Sequence, residues 1–117
     1  MNIDMIDAAA ARLKGHIRRT PLLNSPFLDE IAGRRVLVKA ECLQVTGSFK
    51  GRGGWSAVSA LDPDTCAHGV IAFSSGNHAQ GVAFAARSFG APAVIIMPSD
   101  APRAKIDGTR ALGAEVV

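Results

Sequence analysis

Apolar residues along this chain follow two spacings, and those spacings assign most of its elements. Ile6, Ala10, Leu13 and Ile17 recur at helical steps, which predicts a first helix over about Asp4 to His16, capped by Asn2 or Asp4. Arg19-Thr20-Pro21-Leu22-Leu23 reads as an extended linker, because the residue before a proline is biased away from helix. Ser25-Pro26 offers a cap and a first-position proline for a short helix that Gly33 ends. Val36 to Glu41 reads as a strand. Trp55, Val58 and Leu61 then mark a helix that starts near Lys50 and runs to about Leu61, where Asp62-Pro63-Asp64 makes a surface loop.

The second half is more regular. Val70-Ile71-Ala72-Phe73 is a short apolar strand of the fully buried kind. Asn77 to Phe89 reads as a helix with Val82, Ala85, Ala86 and Phe89 on one face, stopped by Gly90. Ala93 to Met97 is another buried strand, closed by Pro98. Ala101 to Leu112 is a weaker helix with Gly108 inside it and Gly113 after it. Glu115-Val116-Val117 opens a further strand with no helix to cover it, which reads as a truncated domain. Short buried strands alternating with helices predict βαβ units and a parallel sheet covered on both faces. In such sheets ligands bind beyond the carboxyl ends of the strands, where the strand-to-helix turns lie. Two turns carry suitable chemistry: the one holding Lys50, and Ser74-Ser75-Gly76-Asn77-His78.

Composition narrows the picture further. With 117 residues, 48% of them apolar, and a mean hydropathy of +0.19, the chain buries a real core and is not disordered. Its longest apolar run, Ala93 to Met97, is too short to span a membrane. Asp4 and Asp7 near the start do not fit a secretory signal. Cys42 and Cys66 form no CxxC pair, which argues against a zinc site or a disulfide framework and suits a reducing cytoplasm. The net charge of +3 comes from scattered residues and the short pairs Arg18-Arg19 and Arg34-Arg35, so nucleic-acid binding is not indicated.

Lys50 falls among small residues in Gly47-Ser48-Phe49-Lys50-Gly51-Arg52-Gly53-Gly54, in the first turn of a helix. A cation there faces the positive end of the helix dipole, at a cost of a few tenths to about 1 kcal/mol. That placement favours the neutral, nucleophilic amine used in Schiff-base chemistry, although by themselves the residues favour an ordinary solvated lysine. Ser74 to His78 likewise admits two readings. Hydroxyls, an amide, an imidazole and free helix N–H groups suit a carboxylate or phosphate, while Ser74 or Ser75 also suits plain capping of the helix. Three other motifs fail. Ala72-Phe73-Ser74-Ser75-Gly76 imitates a hydrolase nucleophile elbow, but no histidine follows His78. Gly51-Arg52-Gly53-Gly54 hints at a dinucleotide fingerprint, yet Ser56 holds the last glycine position. No P-loop pattern is present.

Taken together, Thr46-Gly47-Ser48-Phe49-Lys50-Gly51-Arg52-Gly53 and Ser74-Ser75-Gly76-Asn77-His78-Ala79-Gln80-Gly81 resemble the fold-type II pyridoxal-phosphate enzymes, and within them the threonine/serine dehydratases and serine racemases. The resemblance also takes in Arg19-Thr20-Pro21-Leu22, Lys39-Ala40-Glu41 with Leu43-Gln44, and Pro98, Pro102, Lys105 and Gly113-Ala114. It implies a three-layer α/β fold of the tryptophan-synthase-β type, incomplete here. Residues 1–45 would then be the first part of the larger domain, and 46–117 the lysine segment with most of the smaller α/β domain. It also implies that Lys50 holds pyridoxal 5'-phosphate as a Schiff base and then acts as the base at Cα, with Phe49 packed beside the cofactor. Asn77 would hydrogen-bond the ring's 3' oxygen. Ser74, Asn77 and His78 would take the substrate carboxylate, and Ser75 would be the acid/base on the face opposite Lys50 that racemases use. The implied reaction is loss of the β-hydroxyl from a hydroxy amino acid, giving a 2-oxo acid and ammonia. A β-replacing enzyme of the cysteine-synthase type and a non-catalytic binding module are the alternatives. The family further implies a homo-oligomer, and the charge pattern and short apolar runs predict no nucleic-acid or membrane partner. Its glycine-rich phosphate loop, the partner of the pyridine nitrogen and the divalent-cation site lie later in the family's chains. No metal ligands are therefore expected here, and a chain of this extent is expected to bind cofactor weakly and be inactive by itself.

Overall fold

The computed structural model describes residues 2–117. Helix α1 (Ile3–Leu13) starts where Asn2 Oδ1 accepts the Met5 N–H at 3.0 Å. It docks on α3 (Lys50–Val58) through Trp55, whose indole N–H donates to the Arg12 carbonyl at 3.0 Å and whose ring stacks on His16 at 4.3 Å. Between them, strand β1 (Leu22–Asn24) pairs antiparallel with β2 (Leu37–Lys39), Leu23 opposite Val38. The linker read as merely extended is therefore partly a strand, because a backbone already extended by Pro21 lies along the edge of β2. β2 is shorter than the expected Val36–Glu41. The Val36 N–H is taken by Asp29 Oδ1 at 2.7 Å, and Glu41 begins a 3-10 turn, Glu41–Leu43. Helix α2 (Pro26–Ala32) ends at Gly33 in the left-handed conformation, φ 62°, but Ser25 makes no side-chain cap there.

The segment Asp62-Pro63-Asp64 is not a loop. Asp62 Oδ1 accepts the Thr65 N–H at 2.9 Å and caps α4 (Pro63–His68), with Pro63 preset for the first helical position. Beyond it come β3 (Val70–Phe73), α5 (Asn77–Ser88), β4 (Ala93–Ile96), α6 (Arg103–Ala111) and β5 (Glu115–Val116). The three strands form a parallel sheet in the order β3-β4-β5, with Ile71 opposite Val94 and Ile95 opposite Val116. The parallel α/β arrangement expected from the sequence is thus present, though β2 belongs to the separate ribbon rather than to this sheet.

One face of the sheet is a core. Ala79, Val82, Ala83 and Ala86 of α5 pack on Ala93, Ile95 and Met97, and Ile106 and Leu112 pack in from α6 and its end. The run of alanines keeps α5 close to the strands at little side-chain entropy cost. The other face is open: Ile71 and Phe73 are 71% and 70% exposed, so β3 is buried on one side only. Strict alternation makes this visible, since Ala72 between them turns into the core. Total accessible surface is 7590 Å², against about 6,100 Å² for a compact monomer of this mass.

Candidate active site

The site begins with a backbone contact between α3 and α5. A Cβ on Gly81 would lie 2.5 Å from the Lys50 carbonyl oxygen, and a Cβ on Gly54 would overlap the Gly81 carbonyl. Only glycine permits this approach. Gly51 and Gly54 are both buried, so Gly51-Arg52-Gly53-Gly54 is a helix-packing surface rather than a phosphate or dinucleotide cradle. The crossing sets the start of α3 against Gly81, the fifth residue of α5. The Lys50 backbone thereby lies beside Gly81, about one helical turn, or roughly 6 Å along the α5 axis, beyond Asn77.

At the start of α3 the Lys50 N–H donates to Ser48 Oγ at 3.3 Å, and Ser48 is buried. The Lys50 ammonium sits 5.1 Å from the centroid of the Phe49 ring, which is 59% exposed. Among the described residues that ammonium donates no hydrogen bond, and none joins it to Ser74, Ser75, Asn77 or His78.

At the start of α5 the plain-capping reading fails. Ser74 extends the sheet through its N–H to the Ile96 carbonyl, and its Oγ accepts the Gly76 N–H at 3.2 Å. Gly76 occupies the cap position and no side chain caps the helix, so the first-turn N–H groups lie open. Ser75, Asn77 and His78 are exposed around them, and His78 also lines a cavity of about 290 Å³ with Ala57, Ile71 and Val82. Asn77 Oδ1 is engaged from another element. The Lys105 ammonium of α6 donates to it at 2.5 Å, and to Gln80 Oε1 at 3.3 Å. Sequence patterning had no means of finding that bond, which spans 28 residues and depends on how α6 lies on α5.

A second polar group was also hidden in the sequence. Arg52, the third residue of α3, binds Glu41 with two bonds, Nε to Oε2 and Nη2 to Oε1, both 2.8 Å. The Thr20 hydroxyl donates to Glu41 Oε1 at 2.5 Å, and Arg52 Nη2 also reaches the Arg18 carbonyl at 3.2 Å. Buried Gln44 closes the clasp, accepting the Arg18 N–H at 2.9 Å and donating to the Arg18 carbonyl at 2.8 Å. The Arg52 guanidinium, outweighing burial and helped by Thr20, holds the Glu41 carboxyl down to about 2. Glu41 in turn raises Arg52. A cation in the first turn of α3 opposes the helix dipole, and Glu41 offsets it. The linker, the end of β2 and the lysine helix are thus tied together two residues from Lys50.

Comparison with known proteins supports one family throughout. The family described as "Pyridoxal-phosphate dependent enzyme" matches residues 13–117. An L-threo-3-hydroxyaspartate ammonia-lyase of a Pseudomonas species is 54% identical over 109 residues, covering 93% of this chain and 34% of that protein. An L-threonine ammonia-lyase of Thermotoga maritima is 46% identical over 117 residues, covering 100% and 29%. Maize serine racemase superposes with a TM-score of 0.95 at 39% identity, covering 99% of this chain and 35% of that one. The chain spans about a third of the length of the curated relatives it matches. On the family match and the shared fold, this chain belongs to the pyridoxal-phosphate dependent enzymes.

Proposed function

We propose that the whole protein is a pyridoxal-phosphate dependent ammonia-lyase. It would act on a β-hydroxy amino acid, and this chain would carry the lysine and the substrate-carboxylate turn. One observation carries the reading: the backbone of Lys50, whose amine has no hydrogen-bond partner among the described residues, crosses α5 about one turn from its uncapped start. The residues present suit the cofactor. Lys50 offers a free amine, Phe49 a flat exposed ring beside it, and Asn77 an NH2 left over once its Oδ1 is bonded to Lys105. Pyridoxal phosphate, when bound, supplies the electron sink that makes a proton at Cα removable.

In this reading Lys50 would hold the cofactor through its amine and would be the base that takes the Cα proton. Asn77 would hold the cofactor ring through its NH2. Ser74, Asn77 and His78, with the open N–H groups of α5, bind the substrate carboxylate, which helix dipole and unpaired donors both favour. The relatives named for L-threonine and L-threo-3-hydroxyaspartate place the hydroxyl on the β-carbon in each case. A second reading, racemisation, follows from exposed Ser75 beside the turn and from the likeness to serine racemase. The domain division at residues 45 and 46 accords with the two separate sheets. Two unpaired cysteines accord with a reducing cytoplasm, and a homo-oligomer is the expected assembly.

The test is chemical. The full chain mixed with pyridoxal phosphate should show a visible Schiff-base band that borohydride traps on Lys50, and Lys50→Ala should abolish both. Ammonia release is then assayed with L-threonine, L-serine and L-threo-3-hydroxyaspartate, and loss of optical activity with L-serine. Trapping at another residue, or an unchanged band in Lys50→Ala, would sink the assignment.

A further inference from the structure

We infer that Lys105 is a positioning residue for the cofactor site, locking the Asn77 amide so that its NH2 end alone is free to donate. The inference rests on the reading of Asn77 as a cofactor contact. An asparagine amide has two nearly isosteric ends, and which one faces a ligand decides whether it donates or accepts. An ammonium has donors only, so at 2.5 Å from Asn77 it selects the oxygen. Rotation of the amide would set NH2 against NH3+, so the NH2 end stays available for an anionic oxygen such as the ring 3' oxygen.

The position of Lys105 is otherwise poorly explained. It is the third residue of α6, where a cation opposes the helix dipole, and that first turn has no acidic residue. Its neighbour Arg103 has a carboxylate partner, Asp107, at 3.2 Å. Lys105 has none among the described residues, and its ammonium donates to amide oxygens of α5. An exposed bond of this kind adds little to stability, so its value lies in orientation and in positive potential beside an uncapped helix start. The supporting parts reach further along both helices. Gln80 holds Lys105 from one side at 3.3 Å, and the far end of Gln80 lies against Gly108, where a Cβ would overlap its Nε2. Gly108, a weak point in α6 by propensity, thus makes room for Gln80, Gln80 steadies Lys105, and Lys105 sets Asn77.

The experiment uses the full chain with Lys105→Met, Lys105→Arg, Asn77→Ala and the Lys105→Met/Asn77→Ala pair. Cofactor affinity is read by spectrophotometric titration, and the Asn77 side-chain NH2 signal is followed by NMR without cofactor. Lys105→Met should weaken pyridoxal phosphate roughly tenfold, move the Asn77 signal and leave the melting temperature nearly unchanged. Lys105→Arg should recover most of the affinity. In the Asn77→Ala background, Lys105→Met should have little further effect, since one acts through the other. Affinity within about twofold of the parent, or losses that multiply in the double variant, would overturn the proposal. So would an unmoved Asn77 signal, whether or not cofactor binds. A parent chain that forms no trapped adduct on Lys50 would instead count against the wider functional reading, and the NMR comparison then judges Lys105 alone.

Discussion

The start of α3, which crosses α5 at Gly81, and the start of α5, one turn away, are held in opposite ways. At α3 the backbone is fastened by a partly buried, bidentate ion pair that Thr20 and the Arg18 carbonyl also join, and Lys50 lies two residues from it. At α5 no side chain caps the helix, and a half-buried lysine from α6 holds the Asn77 side chain. A covalent anchor benefits from a fixed origin, because a misplaced amine loses its reactive geometry. An anion site benefits from open N–H groups, which capping would consume. On the proposed roles, the same element, a helix N-terminus, is closed where it would locate an amine and open where it would bind an anion.

Removing what the two starts share should have the largest effect. Gly54→Val forces a branched side chain into the Gly81 carbonyl, and a loss of about 3 kcal/mol or more is expected from overpacking; urea denaturation checks it. Glu41→Gln should cost about 2 kcal/mol, because Arg52 keeps its place in the helix start without its carboxylate. This effect carries a pH signature. The folded Glu41 carboxyl is held near 2 against an ordinary 4.5, so its contribution is complete above about pH 5 and disappears as pH falls through 4.5 towards 2. The acid limb of the stability curve should flatten in Glu41→Gln, and an unchanged limb would place the acid sensitivity elsewhere. Smallest is Lys105→Met, expected within about 0.5 kcal/mol of the parent in the same denaturation assay. If Lys105→Met costs as much as Glu41→Gln, the contrast between a structural clasp and an orienting contact fails.

Local patterning reached much of this. The helix over Asn77–Ser88 and the strands at Val70–Phe73 and Ala93–Ile96 were readable because period and punctuation agree there. β1 was missed because three residues beside a proline carry no period of their own, and their partner lies far along the chain. The start of α4 reads as a loop in the sequence because Asp62-Pro63-Asp64 is both a turn signal and a helix start. Only the bond from Thr65 to Asp62 separates the two. β3 looked wholly buried because an unbroken apolar run does not say which of its faces is covered.

By itself the sequence determined the order of helices and strands from Val70 onward, the two candidate turns and, through their joint resemblance, the family. All of these follow from residue types at short spacing. Tertiary structure alone decided that the glycines after Lys50 serve a helix crossing, that Glu41 grips Arg52, and that Lys105 reaches Asn77. The reason is physical. A steric fit between two backbones, or an ion pair between distant segments, exists only once packing has brought its halves within a few ångströms.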